Sequence, residues 1–194
     1  MRPGFVVAVG AVSACRVATA QFDTYTGPGG PINDFTGQRF TIFVSQHGNA
    51  TVEFVTLDIS HTWAGDLYIE VRHKTPADYA CILMNRPGVP QSRWGNSDDL
   101  DGVYTFKDGF TPIPETVGAT GFIVPGMYGP HAGQMIRQVV SDSFGEWSLY
   151  ISDDGGGDVG VLRSWSLTLL DLAPAPSSLG ILGIGALVMA RRKR

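Results

Sequence analysis

The sequence is poor in cysteine and in charged residues. Its 194 residues include two cysteines, Cys15 and Cys81, and only 16% are charged, with a net charge of −4. Two cysteines cannot form a disulfide framework, and Cys81 lies in an apolar run that predicts a buried, unreactive thiol. No stripe of lysine and arginine interleaved with aromatics is present, which argues against nucleic-acid binding.

Catalytic motifs are also missing. The sequence has no Gly-x-Ser-x-Gly, no Gly-Thr-Ser and no His-Glu-x-x-His, so neither a serine nucleophile in a triad nor a catalytic zinc site is indicated. A catalytic carboxylate pair remains open by spacing alone, but the carboxylates cluster in turns. We therefore predict a chain without catalytic residues and interpret all four histidines as polar surface residues: His47, His61, His73 and His131.

The remaining composition favours a β-rich domain. Hydrophobic residues make up 43% of the chain, and 25 glycines and 12 prolines imply many turns. Alternation of apolar and polar residues with period two predicts half-buried strands. Such strands are expected at 39–44, 55–59, 67–71, 79–84, 103–106, 147–151 and 165–169. The segment 21–38 is rich in glycine, proline and threonine and is expected to be irregular, and 111–135 is expected to be a long connection rich in glycine and proline. The pattern therefore predicts an antiparallel β-sandwich over 39–172.

The first twenty residues have the layout of a secretory signal peptide. Arg2 precedes an apolar stretch, and Ala18-Thr19-Ala20 fits the small-x-small rule, so cleavage is expected before Gln21. Two alternatives stay open. The tetrapeptide 12–15 loosely resembles a lipobox, which would leave a lipidated Cys15, and the segment could instead be a buried strand. Cleavage before Gln21 and lipidation at Cys15 would both export the chain.

The last 22 residues, 173–194, resemble a sorting signal. A proline-containing stretch precedes the twelve apolar residues 179–190, which end in the basic cluster 191–194. A helix of that apolar length spans about 18 Å, short of a bilayer core of about 30 Å. The layout resembles the PEP-CTERM signal that an exosortase processes at the bacterial envelope, with Ala175 where that family has glutamate. The resemblance implies an exosortase-type partner and membrane contact before processing; a plain tail anchor is the alternative.

Three segments carry a family resemblance. They are 57–71 (LDISHTWAGDLYIEV), 83–106 (LMNRPGVPQSRWGNSDDLDGVYTF) and 144–169 (FGEWSLYISDDGGGDVGVLRSWSLTL). Together, in this order, they resemble the P/Homo B domain that accompanies subtilisin-like proteases, whereas 116–140 fits that family poorly. The resemblance implies an all-β jelly-roll sandwich that supports the folding and stability of a protease. It also implies a possible partner, a separate subtilisin-like protease.

Carboxylates concentrate in glycine-rich loops. Calcium prefers six to eight oxygen ligands, and flexible loops let backbone carbonyls join carboxylates around it. We expect Ca2+ at Asp66, Asp154 and Asp158, with Asp99 and Asp101 as a second set. The resemblance supports this, since equivalent turns of P-like domains bind calcium. The alternative is a set of solvated acidic turns.

Three functions fit these patterns, and the third of them is an accessory domain that acts in trans on a separate protease. The first is a structural or interaction module at the bacterial cell envelope or outside the cell. The second is a carbohydrate-binding module for an extracellular polysaccharide, which would need a row of exposed aromatic residues. The candidates for that row are Trp63, Trp94, Tyr68 and Tyr104.

Overall fold

Strands dominate the computed structural model, which describes residues 21–74, 79–116 and 121–172. The predicted signal peptide and sorting signal lie outside these residues. Within these ranges no helix is long and apolar enough to cross a membrane. The strands are β1 Gln21–Ile32, β2 Thr36–Val44, β3 Ala50–His61, β4 Leu67–His73, β5 Tyr79–Asn85, β6 Asp99–Phe106, β7 Phe122–Ile123, β8 Gly126–Tyr128, β9 Val139–Val140, β10 Gly145–Asp153 and β11 Gly160–Asp171.

The eight long strands form two four-stranded layers with jelly-roll order. One layer runs β1-β11-β3-β6 and the other β2-β10-β4-β5, while the short strands β7, β8 and β9 extend the first. The pairs β1 with β11, β2 with β10, β3 with β6 and β4 with β5 are all antiparallel. A long hairpin rolled up on itself produces this nesting of pairs. The predicted all-β jelly-roll sandwich is confirmed.

The core lies between the two sheets, where the alternating residues place it. Trp147 of β10 and Trp165 of β11 are 0% and 1% exposed, as expected for large aromatics on apolar strand faces. Cys81 is buried and free, and burial raises the pKa of its thiol to about 12. The prediction of a buried, unreactive thiol therefore agrees with the structure.

The expectation of an irregular segment at 21–38 is wrong. Residues Gln21–Ile32 form β1, which pairs with β11 along its whole length. Proline is tolerated in an edge strand, where one row of backbone groups needs no partner. Glycine is required at position 27, because a Cβ there would overlap the indole of Trp165. The glycines and prolines that suggested a loop are therefore compatible with an edge strand that packs closely on the core.

The interpretation of all four histidines as surface residues is also wrong. His61 and His73 are each 1% exposed. Each follows the inward-facing residue of its strand by two positions, so strand parity turns both rings toward the core. The His73 ring stacks on Trp147 with 4.1 Å between centroids, and burial lowers its pKa.

Candidate functional site

Four loops that are distant in sequence meet at one end of the sandwich. They are the β1–β2, β3–β4, β5–β6 and β10–β11 connections. The last three enclose a cleft of about 270 Å³, lined by Trp63, Asp66, Trp94, Gly155, Gly156 and Asp158. The first joins them where the Gly157 N–H donates to Asp34 Oδ2 at 2.8 Å. We call this the rim cleft.

A buried histidine–aspartate pair holds two of these loops together. His61 Nε2 lies 3.1 Å from Asp153 Oδ2, and neither side chain is exposed to solvent. Asp153 Oδ1 accepts the Gly155 N–H at 3.0 Å, and His61 Nδ1 lies 3.0 Å from the Trp63 carbonyl oxygen. The pair therefore fixes the backbone on both sides of the cleft. Because both ring nitrogens are occupied by these contacts, His61 has a positioning role.

Asp66 forms the floor of the rim cleft. It ends the short 3-10 turn Ala64–Asp66, whose backbone is bound to the β5–β6 loop through Gly65 N–H to Asn96 O at 2.8 Å. Gly155 lies directly against its carboxylate, since a Cβ at that position would overlap the Asp66 oxygens. A glycine is therefore required at 155 to keep the floor open.

The Asp66 carboxylate is poorly compensated. Its side chain is 6% exposed, and Arg86 Nη2 approaches Oδ1 only to 3.8 Å. Burial, followed by the neighbouring Asp153 charge, raises the pKa of Asp66 to about 6, while Arg86 opposes the rise. At neutral pH the floor of the cleft thus carries a negative charge that the surrounding protein stabilises weakly.

Two tryptophans form the walls. Trp63 is half-buried and donates its indole N–H to the Trp94 carbonyl oxygen at 2.6 Å, while Trp94 is 59% exposed. The Arg93 guanidinium lies over the Trp94 ring, 4.7 Å from its centroid. The hydrogen bond from the Trp63 indole to the Trp94 carbonyl links the two loops and fixes the position of the Trp63 indole.

Backbone strain also concentrates here. In the described part of the chain, the non-glycine residues with left-handed backbone are Phe35 (φ 53°) and Arg86 (φ 46°). Phe35 is 75% exposed and covers Gly156, and Arg86 donates through Nε to Gly65 O at 3.2 Å. Such conformations are unfavourable for residues with a Cβ and often mark functional sites.

The predicted calcium ligands are divided among different places. Asp66 and Asp158 line the cleft, with Asp158 Oδ1 accepting from Thr62 Oγ1 at 3.0 Å. Asp154 is exposed, and its backbone N–H donates to Asp66 O. Asp99 begins β6, and Asp101 forms an ion pair with Arg163. Among the described residues, no group of three His, Cys, Asp or Glu side chains is arranged to hold a metal ion.

The sequence-level list of exposed aromatics was only partly right. Trp63 and Trp94 line the rim cleft, but Tyr104 is 1% exposed. It faces the core because it shares its side of β6 with the other buried residues of that strand. The residues that sequence reasoning missed are Phe35, Arg86 and the His61–Asp153 pair. Of these, only the burial of His61 could have been predicted from the sequence, because His61 lies two residues after the apolar Ile59 and therefore points to the same face of the strand.

A second histidine–aspartate pair lies at the opposite end of the sandwich. His47 Nδ1 is 3.1 Å from Asp142 Oδ2 on the surface, and the ring stacks on Phe144. Ser143 follows Asp142, but its hydroxyl is buried and donates to the Gln46 carbonyl oxygen at 3.1 Å. The three side chains therefore do not form the relay that a serine nucleophile requires.

Comparisons with known proteins give a weak structural likeness. No family model and no curated protein matches this chain. The crystal structure of a serine protease of Aeromonas sobria is 18% identical over 82% of this chain, with a TM-score of 0.42. The complex of the Aeromonas sobria serine protease with its chaperone gives 16% identity over 79% of this chain and a TM-score of 0.41. The chain spans 28% of the length of either protein. A likeness at this level carries no conclusion about activity.

Proposed function

We propose that the chain is a non-catalytic exported module of the P/Homo B type, which acts as a structural or interaction domain for a subtilisin-like protease at the bacterial envelope. The convergence of the three family-like segments supports this most. These segments supply the β3–β4, β5–β6 and β10–β11 loops, which are up to 96 residues apart in sequence and together form the rim cleft. Segments that resemble a family in three separate places and whose loops meet at one cleft favour a binding surface.

A co-expression experiment tests this role. A subtilisin-like protease from the same genome, lacking its own P-type domain, is produced with and without the chain, and active protease is quantified. The wild-type chain should raise the yield of active protease, and the double variant Trp63→Ala/Trp94→Ala should not. Equal protease yields in all three cultures would refute the interaction role.

The absence of catalysis is tested separately. A fluorophosphonate probe, which labels activated serines, should not label the purified chain, and casein should remain intact. Ser143→Ala is the matched variant because Ser143 lies beside the His47–Asp142 pair. Labelling of the wild type that disappears in this variant would make the chain an enzyme.

Calcium binding remains part of the proposal. At this end of the sandwich, Asp34 Oδ1 is buried without a hydrogen-bond partner among the described residues, and a cation in the β10–β11 loop would satisfy it. The ligands proposed are Asp66, Asp154 and Asp158 with nearby carbonyls, and Asp99 with Asp101 as the second set. Excess calcium should raise the melting temperature relative to a chelator, and Asp154→Asn should reduce that rise. Identical melting temperatures with calcium and with chelator would refute calcium binding.

A carbohydrate-binding function is the second candidate, because Trp63 and Trp94 lie together at the cleft. Aromatic faces and carboxylates are common in sugar sites. Extracellular polysaccharide from the host should then retain the wild-type chain but not Trp94→Ala. Failure of the wild type to bind would retire this candidate.

The export route is proposed from the two ends of the sequence. Cleavage before Gln21 and processing of 173–194 by an exosortase-type enzyme predict a mature protein at the envelope or outside it. Mass spectrometry of the protein isolated from its host would define both ends. A mature form that retains residues 1–20 would contradict the proposed export.

A further inference from the structure

We infer that the rim cleft binds a basic side chain, a lysine ammonium or arginine guanidinium, of the partner protein. This inference rests on the proposed interaction function and names the chemical group that the site recognises. The rim cleft would then be a binding site for one organic cation, with Asp66 at its floor and the two tryptophans as its walls.

The floor supplies the first argument. Within the described residues no hydrogen bond reaches the Asp66 carboxylate, and Arg86, its ion-pair partner, stays at 3.8 Å. Buried carboxylates are normally paired or hydrogen-bonded, because an uncompensated charge away from water is costly. An ammonium or guanidinium entering the cleft would provide charge-assisted hydrogen bonds to this carboxylate.

The walls supply a second, independent argument. Indole rings attract cations through their faces, and the alkyl stem of a lysine or arginine packs well on an aromatic surface. The Arg93 guanidinium lies over the Trp94 ring, 4.7 Å from its centroid. One face of this indole therefore already makes a cation–π contact within the chain. The Trp63 hydrogen bond to Trp94 O keeps the wall in place before any ligand arrives.

The charge of the cleft disfavours anionic ligands, whereas the calcium ion proposed at Asp66 and Asp158 would compete with the organic cation for the same carboxylates. Gly155 and Gly156 line the cleft without side chains that would fill it, and the Asp66 side chain at its floor keeps 6% exposure. Asp158 adds a second carboxylate at the cleft, so an anionic group would be repelled. A neutral sugar could stack on the tryptophans, but it would leave the Asp66 charge uncompensated.

The experiment is an NMR titration of the full-length chain in chelator. The four indole N–H signals are followed while tetralysine is added, with the same peptide acetylated on its side chains as the control. Tetralysine should shift the signals of Trp63 and Trp94 and leave those of the buried Trp147 and Trp165 unchanged. The acetylated peptide should shift none of them.

Two aspartate variants test the role of the floor. Asp66→Asn should weaken tetralysine binding by about tenfold, as expected for loss of a charge-assisted contact. Asp154→Asn removes the same charge from the same end of the sandwich, but its exposed side chain does not line the cleft; it should bind like the wild type.

Three results would overturn the inference. One is the absence of shifts at Trp63 and Trp94, and another is an equal response to the acetylated peptide. The third is equal weakening by both aspartate variants, which would indicate unspecific attraction between charges. Any of these could occur while the protease co-expression assay still succeeds, so failure of the cation site is distinguishable from failure of the interaction function.

Discussion

Replacing Asp66 by asparagine should stabilise the fold at neutral pH. The native environment raises the pKa of this carboxyl from its ordinary 3.8 to about 6. Between these values the native state binds a proton that the unfolded chain has released, so the free energy of unfolding falls as pH rises. A shift of about two pH units corresponds to about 3 kcal/mol of lost stability once both states are ionised. Asparagine keeps the shape of the side chain and removes the charge.

The magnitude can be isolated by a comparison at two pH values. At pH 4.5 the native carboxyl is mostly protonated, and at pH 7.5 it is ionised. The stability advantage of Asp66→Asn over the wild type should therefore grow by about 2 kcal/mol between these pH values. The attraction to Arg86 acts only on the ionised carboxyl, and it is already contained in the pKa of about 6, because Arg86 opposes the rise.

The assay is urea unfolding of both proteins at pH 4.5 and 7.5, followed by far-ultraviolet circular dichroism. A chelator is present so that metal binding does not contribute. Asp154→Asn serves as control and should show no such growth. If Asp66→Asn were equally stable relative to the wild type at both pH values, the Asp66 environment derived from the structure would be refuted. A variant that loses stability at pH 7.5 would have the same consequence.

Three further predictions concern the core and the rim cleft. Trp147→Ala should lower the free energy of unfolding by about 3–5 kcal/mol, because it empties a fully buried site and removes the ring that stacks on His73; a loss below 1 kcal/mol in chemical denaturation would contradict the packing. Gly155→Ala should destabilise the fold and narrow the cleft, since its Cβ overlaps the Asp66 carboxylate, whereas Gly126→Ala, which like Gly155 has no left-handed φ but has open space around it, should change stability little. Cys81 should resist iodoacetamide at pH 8 in the native protein and react in urea, as peptide mass spectrometry would detect, because its thiol is buried and its pKa is about 12; rapid native labelling would disprove this.

Strand parity explains which parts of the fold were predictable. The alternation in 147–151 and 165–169 determined which residues face the core, and the structure agrees at Trp147 and Trp165. The same rule, applied through His61 and His73, would have predicted their burial. It failed at β1, because an edge strand that packs glycine against Trp165 has no large alternating side chains to reveal it.

The candidate site was predictable only as a collection of residue types. Asp66 and Asp158 were identified from carboxylates beside glycine, and Trp63 and Trp94 from their aromatic character. Neither signal indicates that the four side chains share one cleft. Arg86 and Phe35 gave no signal, since a left-handed backbone at a residue with a Cβ depends on the contacts around it.

Local chemistry along the chain was sufficient to determine the two-sheet architecture, the tryptophan core and the absence of known catalytic motifs, because side-chain alternation and motif spacing are short-range properties. Only the tertiary structure decided that loops up to about 120 residues apart meet at one end, as Asp34 and Gly157 do. It likewise decided that Asp66 lies buried at a cleft that two tryptophans also line, with weak compensation for its charge. Those properties arise from burial and from the distances between charges, and both are set by how the sheets fold over each other.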